Sequence, residues 1–239
     1  MSKIYEALEQ AQKEQKRILP GGSSPAGAPA VAGREDEMIG LYHSIETLLP
    51  GYERKSIQFI GSREGEGTST IVRELALVAA SKKSRTVLLV DEDRKNPKQH
   101  TYFGTTAEYS WENTIREGIP IEQAVYRTFS PNLFVTLVSR NAGFEAHSIN
   151  PSMLTDLWER LTEAFDYILV DSPPMPSSPD SLVLSRMVDG IILVIEAEKT
   201  RWPVVECVKE KIVNCRGNIL GVVLNKRKYH IPDYIYRKF

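Results

Sequence analysis

Cysteine is nearly absent from this 239-residue chain, with only Cys207 and Cys215. Two thiols make neither a disulfide framework nor a four-cysteine zinc cage, and they are expected as reduced thiols of a cytoplasmic protein. Histidine is also scarce, with four residues. His100 and His147 stand far apart without ligand spacing, so metal chemistry by histidine is not expected. No apolar run nears the ~18 residues of a membrane helix; the strongest, Ile191–Ile195, is strand-sized. The opening Met1-Ser2-Lys3-Ile4-Tyr5-Glu6 lacks the apolar segment of a secretory signal. An excess of one charge is missing too, with 30 Lys and Arg against 31 Asp and Glu. That balance gives no chain-wide footprint for a polyanion, and no nucleic-acid partner is expected. At 41% hydrophobic and 26% charged residues, wholesale disorder is excluded.

What is present divides the chain into four parts. Residues 1–19 place Ile4, Leu8, Ala11, Ile18 and Leu19 near one helical stripe, which predicts an amphipathic helix ended by Pro20. Residues 20–36 hold Pro25, Pro29, Gly21, Gly22, Gly27 and Gly33 without hydrophobic periodicity and read as a linker. Residues 37–225 alternate strand-sized apolar runs with helical patterns. Strands are expected at Ile57–Ile60, Val87–Val90, Leu133–Val138, Tyr167–Val170, Ile191–Ile195 and Ile219–Leu224. Helices are expected at Glu37–Leu49, Ser69–Ser81, Pro151–Ala164, Asp180–Met187 and Pro203–Cys215. Strands apolar throughout and separated by helices imply an α/β fold, a doubly wound, mostly parallel sheet covered on both faces. Trp111, Trp158 and Trp202 are expected as packing residues. Residues 226–239 form a basic tail in which Tyr229, Tyr234 and Tyr236 are interleaved with cations. Such a tail suits an anionic surface or a partner groove, or packs its rings on the domain.

In an open parallel sheet the chemistry lies beyond the carboxyl ends of the strands. The first such end reads Gly61-Ser62-Arg63-Glu64-Gly65-Glu66-Gly67-Thr68-Ser69-Thr70. Gly65, Gly67 and Ser69 fit a phosphate loop, in which glycines let backbone N–H groups face phosphate at a helix N-terminus. Thr68 stands where the pattern has lysine, the point charge that reaches the outer phosphates. Arg63 is a candidate compensating cation; the bland alternatives are a solvated arginine and a ligand-free glycine turn. Asp91 and Asp93 end the second strand and Asp171 ends the fourth. Singly each could cap a turn, but together beside a glycine loop they suit Mg²⁺ and its waters next to a nucleotide.

These motifs resemble the bacterial tyrosine kinases of capsular and exopolysaccharide biosynthesis, within the MinD/ParA-type P-loop group. Gly65-Glu66-Gly67-Thr68-Ser69-Thr70 sits where that family has Gly-Glu-Gly-Lys-Ser-Thr. Val87–Asp93 with Pro97, His100 and Phe103 matches its second acidic motif, and Phe165–Pro174 its Walker B segment. Asp180, Asp189-Gly190 and Gly221–Asn225 follow in the family's order. The resemblance implies ATP and Mg²⁺ as cofactors, with Arg63, Gly65, Glu66, Gly67, Thr68, Ser69 and Thr70 around the phosphates. It implies Ser69, Asp91 and Asp171 on the metal side, Asp91 and Asp93 as catalytic carboxylates, and Tyr229, Tyr234 and Tyr236 as phosphoacceptors. The implied partner is a membrane polysaccharide co-polymerase (a chain-length regulator) or another export component, reached from the cytoplasm; a homo-oligomer is also implied.

The departures from the family are as informative. Thr68 removes the lysine, and Glu37, Gly40 and His43 replace a Glu-x-x-Arg-x-x-Arg oligomerisation motif. Lys95-Asn96 replaces a basic pair, and a dense tyrosine cluster shrinks to three. The expected function is a regulatory, kinase-like protein with weak or absent phosphotransfer. The alternatives are an active tyrosine autokinase with a substitute cation, and a MinD/ParA-type positioning ATPase.

Overall fold

The computed structural model describes residues 34–138, 151–175 and 181–228. The expected N-terminal helix, the linker up to residue 33, His147, Asp180 and the tail tyrosines Tyr229, Tyr234 and Tyr236 lie outside the described residues.

Runs of Val, Ile and Leu favour extended backbone that can be buried on both faces. They form β1 (Lys55–Gly61), β2 (Val87–Asp91), β4 (Leu133–Thr136), β5 (Tyr167–Ser172), β6 (Gly190–Glu196) and β7 (Ile219–Asn225), with a two-residue β3 (Tyr126–Arg127). The sheet order is β3-β4-β2-β5-β1-β6-β7. Every neighbouring pair is parallel except β3 with β4.

Strand alternation separates two cores. Val87 and Leu89 of β2 pack with α1 (Glu35–Leu48) and α2 (Thr68–Lys82), against Met38, Tyr42, Ile45, Ile71, Val72 and Leu75. Leu88 and Val90 face the other way. They share a cluster with α4 (Trp111–Glu117), α6 (Pro151–Ala164) and α8 (Trp202–Asn214). In α6, Leu154, Leu157, Trp158 and Leu161 form the inward stripe at helical spacing, and the opposite face is exposed.

The expected strands and the long helices are present, with shifted ends. α1 starts at Glu35, ahead of the expected Glu37, and Pro203 lies in the first turn of α8. The expected Asp180–Met187 helix is, within the described residues, the short α7 (Ser181–Leu184). Between β2 and β4 the structure adds α3 (Gln99–Phe103), α4 and α5 (Ile121–Ala124), none of them anticipated. α4 is fixed by a capping box in which Asn113 Oδ1 accepts from the Ser110 backbone N–H at 2.8 Å. Trp111 and Trp158 are buried as expected, but Trp202 is 65% exposed. It opens α8, whose inward residues are Val205, Val208 and Ile212.

The register brings the site together. β5 lies between β2 and β1, which pairs Asp91 directly with Asp171 and leaves the end of β1 beside them.

Candidate functional site

β1 ends at Gly61 and α2 begins at Thr68. In the turn between them Gly65 and Gly67 have φ of +85° and +93°, which glycine adopts without a Cβ penalty. Gly67 is glycine for a second reason. A Cβ there would meet Asn225 Nδ2 at 2.2 Å, because that amide donates to the Glu66 carbonyl at 2.7 Å. Gly67 precedes α2 with no capping side chain and no acid in the first turn. The leading N–H groups and the positive end of the helix dipole are thus left for an anion.

A cavity of about 50 Å³ sits over this turn. Arg63, Gly65, Gly67, Thr68, Ser69 and Thr70 line it, and Asp93, Asn96 and Lys98 close its other side. The loop residues expected around phosphate are therefore together, but three side chains behave differently. Glu66 also lines the cavity, yet its carboxylate, 1% exposed, turns into the loop floor. It accepts from Ser62 N at 2.5 Å, Ser62 Oγ at 2.8 Å, Arg63 N at 2.8 Å and Thr200 Oγ1 at 2.5 Å. Held by these four donors, the Glu66 carboxylate braces the loop, and its backbone remains part of the turn that would face phosphate. Arg63 directs its guanidinium to the Lys199 carbonyl at 3.1 Å and Thr200 Oγ1 at 3.3 Å. Thr68 Oγ1 folds back, 2.9 Å from the position a Cβ on Gly61 would take.

The acidic half is built at the ends of β2 and β5. Asp91, 1% exposed, accepts only backbone N–H groups among the described residues, from Asp93 at 3.1 Å and Gln99 at 3.3 Å. Asp171, equally buried, accepts from Gln99 Nε2 at 2.8 Å through Oδ2; its Oδ1 has no hydrogen-bond partner among the described residues. Burial first, and then the Asp171 charge, push the Asp91 carboxyl well above its usual range. Burial likewise pushes Asp171 up to about 6, although the Gln99 amide and the Ser69 hydroxyl pull it back. Asp93 Oδ1 accepts from the backbone N–H groups of Lys95 and Asn96 at 3.2 and 3.0 Å, holding the turn that follows.

Two like charges buried in register, one with an orphaned oxygen, fit a divalent cation. Among the described residues no group of three or more His, Cys, Asp or Glu side chains is spaced to hold a metal. A hard cation here would complete its shell with hydroxyl, water and phosphate oxygens, the habit of Mg²⁺.

Sequence reasoning missed two members of the site. Gln99 Nε2 donates to both the Ser69 carbonyl at 3.1 Å and Asp171, linking the halves. Lys226 reaches the loop from the end of β7, with Nζ donating to the Gly65 carbonyl. On the far side of Asn225 and Lys226 a groove of about 490 Å³ runs between α1, α2 and β7, lined by Met38, Leu41, Ile71 and Leu224.

A glycine loop between a parallel strand and a helix, with carboxylates on neighbouring strand ends, is the arrangement of a P-loop NTPase fold. The chain belongs to the ParA family of P-loop NTPases: the family described as "ParA: NUBPL iron-transfer P-loop NTPase" matches residues 54–237. The tyrosine-protein kinase YwqD of Bacillus subtilis is 28% identical over 185 residues, covering 77% of this chain and 78% of that one. The kinase domain of the Escherichia coli tyrosine kinase ETK superposes with a TM-score of 0.73 at 20% identity, covering 91% of this chain and 89% of that one. The septum site-determining protein MinD of Pyrococcus horikoshii, complexed with Mg-ADP, superposes with a TM-score of 0.61 at 20% identity, covering 77% and 76%. Bacterial tyrosine kinases and MinD-type ATPases thus share this fold. Among the described residues no helix is long and apolar enough to cross a membrane.

Proposed function

We propose that the protein is a tyrosine-kinase-like regulator of exopolysaccharide or capsule synthesis. In this reading it binds Mg·ATP weakly and transfers phosphate poorly or not at all. The observation that carries the reading is an asymmetric site. The acid pair Asp91 and Asp171 is buried in register, while Thr68 leaves the loop without the lysine that would face the outer phosphates. The loop N–H groups and the α2 N-terminus receive the phosphates. Ser69, Asp91 and Asp171 would hold Mg²⁺ and its waters, and Asp93 lines the cavity where an attacking hydroxyl would enter. Bound Mg²⁺ supplies charge neutralisation between the nucleotide phosphates and the acid pair. The groove beside Asn225 is large enough for a nucleoside.

The partner in this reading is a membrane polysaccharide co-polymerase or another export component. It is engaged from the cytoplasm, with the N-terminal helix as the docking element on its linker. Residues 226–239 present Tyr229, Tyr234 and Tyr236 as phosphoacceptors, modified in trans. On α1, Met38, Tyr42 and Ile45 are buried, while Glu37, Gly40 and His43 are exposed and could meet a second copy.

The test is a calorimetric titration with ATP, with and without Mg²⁺, followed by mass spectrometry of protein incubated with Mg·ATP. Weak, Mg²⁺-dependent binding without phosphotyrosine is the expected result. Stoichiometric tyrosine phosphorylation abolished by Asp93→Asn establishes the second reading, an active autokinase, which Lys226 at the loop favours.

A further inference from the structure

Lys226 was expected to open the basic tail, yet its side chain lies against the phosphate loop. Its backbone is left-handed, with φ +57°, a region sparsely used by residues other than glycine. Asn225 Oδ1 accepts the Lys226 backbone N–H at 2.9 Å while Asn225 Nδ2 holds the Glu66 carbonyl. This turn sends the lysine stem back over the loop, where Cε stands 4.0 Å from the point a Cβ on Gly67 would occupy. We infer that Lys226 supplies, from the end of β7, the cation that the loop lacks at Thr68, and that its ammonium contacts the phosphates of a bound nucleoside di- or triphosphate. The inference rests on the nucleotide-binding reading above.

The present partners of Lys226 are exchangeable. Nζ donates to the neutral Gly65 carbonyl and lies 3.5 Å from Glu196 Oε2, a carboxylate that also holds Lys199 at 3.0 Å. Phosphate oxygens offer a stronger, charge-assisted bond than a carbonyl. The side chain is 43% exposed, and four rotatable carbons let the ammonium follow a ligand. The other cations near the loop are less well placed. Arg63 is turned to the Lys199 carbonyl and Thr200. Lys98 lines the acidic side of the cavity, with no hydrogen bond to the loop among the described residues.

Calorimetry with Mg·ATP, Mg·ADP and adenosine tests this on the full chain and on Lys226→Met, Lys226→Arg, Lys98→Met and the double variant Thr68→Lys/Lys226→Met. Lys226→Met is expected to weaken ATP and ADP by about tenfold or more, with adenosine affinity and melting temperature unchanged. Lys226→Arg should retain most of the affinity, and the double variant should recover it. ATP affinity unchanged in Lys226→Met, an equal loss for adenosine, or a loss in Lys98→Met instead would each overturn the inference alone. Failure of both the natural protein and the double variant to bind ATP would overturn the nucleotide reading itself, and the inference with it.

Discussion

The two halves of the site lie side by side at the carboxyl ends of the central strands β2, β5 and β1 and are electrostatic opposites. Around Asp91 and Asp171, negative charge is concentrated and under-compensated: two buried carboxylates in register, one oxygen unpartnered, and a single amide, Gln99, between them. Around the loop every charged side chain with a described contact already has a partner. Glu66 is held by donors from the loop and Thr200, Arg63 by the Lys199 carbonyl, and Lys226 by the Gly65 carbonyl. The contrast teaches that a loop with threonine at position 68 is not left as a hole. The loop keeps its shape through Glu66 and Asn225, which need no ligand, while the acidic half still calls for a cation.

The largest expected effect comes from breaking the loop half. Gly67→Ala puts a Cβ on Asn225 and forces φ +93° on a side-chain-bearing residue. Backbone strain and the lost Asn225 bond together should cost about 2–4 kcal/mol of stability. Urea unfolding measures this, and nucleotide binding should vanish with it. A midpoint within error of the natural protein would mean that the turn is not locked.

Restoring the missing charge should have the next largest effect. In the Lys226→Met background, Thr68→Lys should tighten Mg·ATP by at least about tenfold, or about 1.4 kcal/mol, without moving the unfolding midpoint. An unchanged affinity in a protein that already binds tightly would show that the charge is fully supplied elsewhere.

The acidic half can be read through pH. Burial raises Asp171 from its ordinary 3.8 to about 6. Between those values the folded protein holds a proton that the unfolded chain releases. This group's contribution to metal-free stability is therefore fully present below 3.8 and lost as pH rises through about 6. Melting temperature without metal should thus rise by a few degrees from about pH 7.5 to about pH 5.5. Mg²⁺ should reverse the trend, stabilising most at the higher pH, where both carboxylates are charged. Asp171→Asn should flatten both profiles. A metal-free melting temperature that falls with acid in the natural and Asp171→Asn proteins alike would contradict the raised value.

The smallest effect is expected at Arg63, whose exposed guanidinium only ties the loop to the Lys199–Thr200 turn. Arg63→Ala should change ATP affinity by about twofold at most, the scale of an exposed polar contact. A tenfold loss by calorimetry would make Arg63 the substitute cation and transfer the role argued above for Lys226.

Much of this architecture was legible in the sequence because its signals are local. Apolar runs such as Val87–Val90 and Tyr167–Val170 and the stripe of α6 depend on residues a few positions apart. The region between β2 and β4 was not legible. α3, α4 and α5 have five, seven and four residues, too short for helical periodicity to emerge. Their positions are set by capping and by packing on the sheet. Motif spacing pointed to Gly65, Gly67, Ser69, Asp91, Asp93 and Asp171, which the fold brings to neighbouring strand ends. The bracing of the Glu66 side chain by Thr200, far along the chain, and the bridging role of Gln99 were not legible.

By itself, then, the sequence determined a parallel α/β sheet, a glycine loop at its first strand and carboxylates at two others, because strand and turn chemistry is written in consecutive residues. Only the tertiary structure decided the charge of the site. The strand order places Asp91 against Asp171, and the left-handed turn after β7 carries Lys226 to a loop some 160 residues earlier. Side chains that distant meet only once the sheet has closed between them, and neither composition nor spacing encodes which of them will.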